Sequence, residues 1–176
     1  MELGLGRNEV ILVPHDEGWK KEFEKVKEEI HNATSIDHKK IEHIGSTSII
    51  NIMTKPIIDI LVGVENIQAI NSKLIEDLKK IGFYRLRVER QNEVVFAKFT
   101  DESFKVKTHF LHLVNFDGEL WKDLIFFRDF LNLDEPSRVA YEDIKKNFVK
   151  FQSKGIDEYT ESKEKFVKDI IAKRTS

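Results

Sequence analysis

The run Ile57-Ile58-Asp59-Ile60-Leu61-Val62-Gly63-Val64 constrains the fold more than any other stretch of the chain. It is β-rich and apolar apart from Asp59 and Gly63, the pattern of a central strand covered on both faces. Such a strand needs a layer on each side, and the neighbouring sequence supplies helices. Trp19, Phe23, Val26 and Ile30 recur at +4, +7 and +11, one face of an amphipathic helix with Asp16 placed as its N-cap. Ile67, Ile70, Leu74, Leu78 and Ile81 predict a second helix, stopped by Gly82.

Val10 to Val13 is a short apolar run closed by Pro14. Other segments read as further strands. Ile41 to Ile44 is a short one, stopped by Gly45. Phe83 to Val88 and Glu93 to Thr100 are joined by the polar turn Glu89-Arg90-Gln91-Asn92. Lys105 to Phe116 is a longer strand, ended by the turn signal Asp117-Gly118. Ser46 to Met53 has the length of one or two helical turns. From Glu119 the period is helical. Leu120, Leu124, Phe127 and Leu131 form one stripe, Pro136 interrupts, and Ala140, Ile144, Phe148 and Phe151 form the next, ended by Gly155. Tyr159, Phe166 and Ile170 mark a last helix. The expected architecture is α+β: a mixed sheet with flanking helices, then a helical C-terminal half. No linker divides it, so residues 1–176 are expected to form a single domain.

Composition narrows the chemistry. Lys and Arg number 29 against 31 Asp and Glu, a net charge of −2, which argues against a globally basic nucleic-acid binder. The absence of cysteine excludes disulfides, thiolate metal sites and a Cys nucleophile, so any metal must sit on His and carboxylate oxygens. No apolar stretch approaches the roughly 20 residues that span a bilayer. The N-terminal residues lack a basic region followed by an apolar core, so the expected location is the cytoplasm, with no membrane partner.

Three segments could carry a site. In Ile41-Glu42-His43-Ile44-Gly45-Ser46-Thr47-Ser48 a strand ends in Gly, and three hydroxyl residues stand where a helix would start. That junction can cradle a phosphate, or simply cap a turn; it is not a P-loop, whose spacing is absent. In Lys55-Pro56-Ile57-Ile58-Asp59, the carboxylate lies in an apolar run and is costly to bury unless paired or bound to a cation. Lys55 could be that partner or a phosphate ligand. In Thr108-His109-Phe110-Leu111-His112, the two histidines are three apart and face opposite sides of a strand. His112 shares its face with Val106, Phe110 and Val114 and is expected to be the more buried. On the helices, Arg128 and Asp129 flank an apolar stripe. Tyr141 and Lys145, and Tyr159 and Lys163, are pairs four apart that share a helix face. Those lysines could converge on an anion; the spacing alone favours a solvated reading.

Together, HIGSTS, KPIIDILV, THFLHLV, FRDFL, the closing Tyr-x-x-x-Lys helix and the early Val-Pro-His-Asp-x-x-Trp segment resemble the GrpB family, also called UPF0157. The resemblance runs from about Val10 to Ile171. It implies a nucleotidyltransferase-like fold of the polymerase-β type, in which a Gly-Ser turn holds a triphosphate and acidic residues on the next strand hold divalent metal. Carried over, Gly45-Ser46 matches the Gly-Ser turn and Asp59 the acidic strand. An enzyme built on that match would add Thr47 to the phosphate cradle, with Lys55, Arg128 and Lys163 neutralising the charge. Asp59 would hold Mg²⁺, and His112 would be a ligand or proton acceptor. Glu42, His43 or Asp129 could complete a metal set.

The departures are specific. The usual Asp-x-Asp or Asp-x-Glu pair is absent, since Ile57 and Leu61 stand two residues either side of Asp59. Ile50-Asn51 replaces a frequent Pro-Gly, and Phe110 a frequent second His. Two readings therefore stand: metal-assisted nucleotidyl transfer with Asp59 and His112 catalytic, or a non-catalytic module for a nucleotide or other phosphorylated small molecule. The second includes a folding-accessory role, because the family also occurs fused to dephospho-CoA kinase. The expected site brings Gly45, Ser46, Asp59 and His112 into one pocket, with the 105–116 strand beside the 57–64 strand.

Overall fold

The computed structural model describes residues 1, 3–88, 90–150 and 155–175, excluding the side chains of 155–162. Strands β1 (Leu5–Gly6), β2 (Ile41–Ile44), β3 (Ile58–Val64), β4 (Phe83–Arg85), β5 (Glu93–Phe99) and β6 (Val106–Asn115) form one sheet. The order is β2-β3-β6-β5-β4, and β1 pairs with β6. Only the central β3–β6 pair is parallel; the others are antiparallel. The apolar run thus occupies the interior of the sheet, next to the strand expected beside it.

The period-2 alternation of β3 feeds two layers. Ile58, Ile60 and Val62 pack on one face with Leu111, Leu113 and Phe96, under helices α1 (Gly18–Thr34) and α2 (Ser72–Lys80). The α1 stripe Trp19, Phe23, Val26 and Ile30 is fully buried there, as its spacing requires. Ile67 and Ile70 precede α2, Ile67 in a 3₁₀ turn, and Asn71 caps α2 by accepting from the Leu74 N–H at 2.9 Å. Asp59, Leu61 and Gly63 point to the opposite face. There Ile44, Leu61, Val114 and Trp121 pack under helix α3 (Glu119–Leu133). Helices α4 (Glu135–Lys150) and α5 (Gly155–Ala172) build a further cluster on α3 with Ile49 and Ile52.

Val10 to Val13 makes only a bridge, between Val13 and Thr54, and Leu5 and Gly6 pair beside the start of β6. Ser46 to Ser48 forms a single 3₁₀ turn, the shorter of the lengths expected there. Two sequence expectations are corrected. The α3/α4 break falls at Asp134, and Pro136 sits in the first turn of α4, where its missing N–H has no helical partner to lose. The buried face of α4 is Tyr141, Lys145 and Phe148, so of the expected stripe Phe148 is buried while Ile144 is half-buried and Ala140 exposed. Phe151 and the side chain of Tyr159 lie outside the described residues. Among the described residues, no helix is long and apolar enough to cross a membrane.

Candidate functional site

The site grows from the end of β2 and the beginning of β3. Gly45 follows β2 with φ +71° and ψ −175°, a conformation that residues with a Cβ avoid. It leaves room for the Asp59 carboxylate from the antiparallel neighbour. A Cβ at position 45 would lie 2.9 Å from both Cβ and Cγ of Asp59 and closer still to Oδ2. Gly45 therefore lets the acid fold back against the main chain of the turn. Ser46 Oγ is hydrogen-bonded to Thr54 Oγ1, and Ser48 Oγ donates to the Gly45 carbonyl at 2.6 Å, so the turn is braced by its own hydroxyls. Thr47 is buried; its hydroxyl donates to the Ile57 carbonyl at 3.3 Å and lies 3.0 Å from His43 Nε2.

Asp59 is not left alone in the apolar sheet. His112 stands on β6, on the same face, with Nε2 3.3 Å from Asp59 Oδ1 and Nδ1 2.5 Å from Glu93 Oε1 on β5. Both ring nitrogens face carboxylate oxygens, which requires N–H on each and makes the ring an imidazolium. Burial pushes its pKa down, but the hydrogen bonds and charges of Asp59 and Glu93 outweigh it and raise it to about 9. Glu93 is held below its ordinary value by His112 and Arg90, against its own burial. His112 is thus a fixed cation between two acids rather than a base with a free lone pair. The other β6 histidine reverses the expected burial: His109, only 2% exposed, is the more deeply buried because it faces the dense α1/α2 layer. Burial, then the charges of Lys98 and Lys25, lower its pKa to about 4.

The helical half brings lysines to Asp59. Lys145, expected at the surface from spacing, is fully buried. Its Nζ donates to the Met53 carbonyl at 2.5 Å and lies 4.7 Å from the centre of the Tyr141 ring. Burial, followed by the charge of Lys163, depresses its pKa to about 7. Lys163 of α5 behaves alike. Burial and then Lys55 push it to about 7, while Asp59 pulls it up. Burial also lowers Lys55, which Asp59 partly restores. The Tyr141 phenol is raised by burial and then by the Asp59 charge. Lys145 and Lys163 thus feel each other and Lys55, while Asp59 acts on Lys55 and Lys163, an arrangement that an anion would relieve.

Arg128 is drawn elsewhere. It donates to Glu42 at 2.7 Å, to Asp129 at 2.7 Å and to the His43 carbonyl at 2.9 Å, bordering a groove of about 370 Å³ with His43, Thr47 and Asn132. His43 stacks on Phe23 at 4.9 Å, and burial lowers its pKa to about 4. The structure therefore joins Gly45, Asp59 and His112, puts Lys55 and Lys163 within reach of the Asp59 charge, keeps Ser46 and Thr47 in the adjoining turn, and sets Arg128 apart. Glu93 escapes sequence reasoning. Lys145 is noticed in the sequence, but its solvated reading is overturned, and its phase with Tyr141 and Phe148 was the available signal.

The donor set does not suit Mg²⁺ at Asp59. One carboxylate oxygen faces an imidazolium and the other lies against Gly45, while Glu42 and Asp129 are engaged by Arg128. Among the described residues, no three His, Asp or Glu side chains converge to hold a metal ion.

The mixed sheet, with its Gly-Ser turn facing an acidic strand and a helical C-terminal half, defines a nucleotidyltransferase-like fold. The structure superposes on the Cid1 poly(U) polymerase, solved with MgGTP bound, with a TM-score of 0.51 at 13% identity, covering 78% of this chain and 44% of that one. A narrower kinship follows from the sequence: the GrpB protein family pattern matches residues 9–173, and the chain belongs to the GrpB family. The glutamate-rich protein GrpB of Alkalihalophilus pseudofirmus is 42% identical over 170 residues, 96% of this chain and 98% of that one. The crystal structure of the conserved protein GrpB from Enterococcus faecalis superposes with a TM-score of 0.79 at 27% identity, covering 93% and 96% of the two chains.

Proposed function

We propose that the chain is a binding module for a nucleotide or another phosphorylated small molecule, with the phosphates held by lysines rather than through a metal. The observation that carries this reading is the mutual repulsion of Lys55, Lys145 and Lys163, on two of which Asp59 acts, with Lys145 and Lys163 lowered to about 7. Phosphate entering there offsets the burial that disfavours each ammonium, and charge-assisted hydrogen bonds of this kind are the strong ones. The Gly45-Ser46 turn lies beside them, and the neutral tyrosine Tyr141 forms an apolar wall. Likeness of fold to a polymerase solved with MgGTP supports a nucleotide as the phosphate carrier. Nucleotidyl transfer is the weaker reading, since it needs paired acids and β3 carries Ile57 and Leu61 where a second acid would stand.

The test is calorimetric titration of tripolyphosphate into the full chain in EDTA. Lys163→Met is expected to weaken binding by about tenfold or more, the loss of one hydrogen bond to a charged group. Unchanged affinity in that variant would remove the phosphate site from Asp59.

A further inference from the structure

A second pocket, of about 280 Å³, opens where the N-terminal segment crosses the start of β6. Its walls carry four cations, Arg7, Lys55, Lys105 and Lys107, and two aromatic rings, Phe104 and Phe110, with no Asp or Glu. Among the described residues, no ion pair neutralises Arg7, Lys105 or Lys107. Like charges gathered in a concave site repel one another and focus a positive potential into it.

The pocket is built rather than incidental. Gly4 N–H donates to the Pro56 carbonyl at 2.7 Å and Leu5 pairs with Lys107, so the segment bearing Arg7 is tied down on both sides. Phe104 is 49% exposed, and its φ of +54° is an outlier for a bulky residue. Edge contacts to Tyr84 at 5.0 Å and Phe99 at 5.2 Å hold that ring at the rim. Phe110 lies deeper, with Lys107 Nζ 5.6 Å from the centre of its ring. A half-exposed aromatic beside unneutralised cations gains its edge contacts at a backbone cost that Asn at that position would largely escape. Ring and cations together are a way to meet a flat ring that carries negative charge.

We propose that this pocket binds a small anion bearing a flat aromatic ring, with the ring against Phe104 and Phe110 and the anionic group on Arg7, Lys105 and Lys107. The proposal goes beyond the phosphate reading at Asp59. Lys55 borders both places, so occupancy of one changes the charge felt at the other.

The test is calorimetry on the full chain with adenosine 5′-monophosphate, 1-naphthoate, inorganic phosphate and adenosine. The first two separate a phosphorylated from a carboxylated source; the last two supply the charge or the ring alone. At least one ring-bearing anion is expected to bind about tenfold or more tighter than phosphate or adenosine, the worth of one stacked ring. Phe104→Asn keeps a residue that tolerates the left-handed backbone but removes the ring. It is expected to lose that advantage, with a modest fall in melting temperature because the edge contacts to Tyr84 and Phe99 go with the ring. Lys107→Glu is expected to abolish the same advantage. The proposal is overturned if neither ring-bearing anion binds more tightly than phosphate and adenosine, or if Phe104→Asn and Lys107→Glu bind as the parent does.

Discussion

Asp59→Asn is expected to lower the stability of the chain by about 3 kcal/mol, the lower end of the loss on breaking a buried ion pair. The substitution leaves His112 with one acid instead of two and removes a negative charge that supports Lys55 and Lys163. The side chain of Asp59 is 27% exposed and that of His112 16%, so solvent replaces little of the loss. Urea unfolding at neutral pH measures it. At about pH 6, where the lysines keep their protons, the variant should still bind tripolyphosphate in EDTA, because no metal is lost with the carboxylate. Unchanged stability, combined with loss of a Mg²⁺-dependent binding that the parent shows, would instead show that Asp59 serves a bound cation.

Gly45→Ala is expected to be at least as damaging, about 3 kcal/mol or more. The backbone conformation alone is disfavoured by about 1–3 kcal/mol for a residue with a Cβ. The new methyl also meets the Asp59 side chain, which cannot retreat without leaving His112. A double variant separates the two causes. If the clash dominates, Gly45→Ala combined with Asp59→Ala should be less unstable than the sum of the single changes. Strict additivity in urea unfolding would assign the effect to the backbone and to the contact with the Cβ at position 59, which the double variant keeps.

Much of this arrangement is legible in the sequence, and the exceptions have physical causes. The β3 run and the α1 stripe announce their places because apolar periodicity reports burial directly. Asp59 is conspicuous for the complementary reason: an acid in such a run must find a partner. The partner's partner is not legible, since Glu93 reaches His112 across the sheet from β5 and nothing in its local pattern distinguishes it from a surface glutamate. Lys145 is misread because the buried face of α4 is set by what α3 and α5 offer, here Phe127 and Phe166 against Tyr141, rather than by the most apolar stripe. The ranking of the histidines inverts because the β6 face with more apolar neighbours in sequence is the one that opens on the site. The absent acidic pair was visible at once; that an imidazolium and lysines supply the charge in its neighbourhood needed the tertiary structure.

The most direct test of a phosphate site charged by protein cations is the proton balance of binding. Lys145 and Lys163 sit near pH 7 in the free chain, and an anion beside them raises their pKa, so binding must take up protons. Tripolyphosphate titrated in EDTA at about pH 6 and about pH 8.5, in buffers of different ionisation enthalpy, reads this directly. Tighter binding at the lower pH, with proton uptake at neutral pH and no need for Mg²⁺, is the expected result. Binding that appears only with Mg²⁺, or that releases protons, would contradict it.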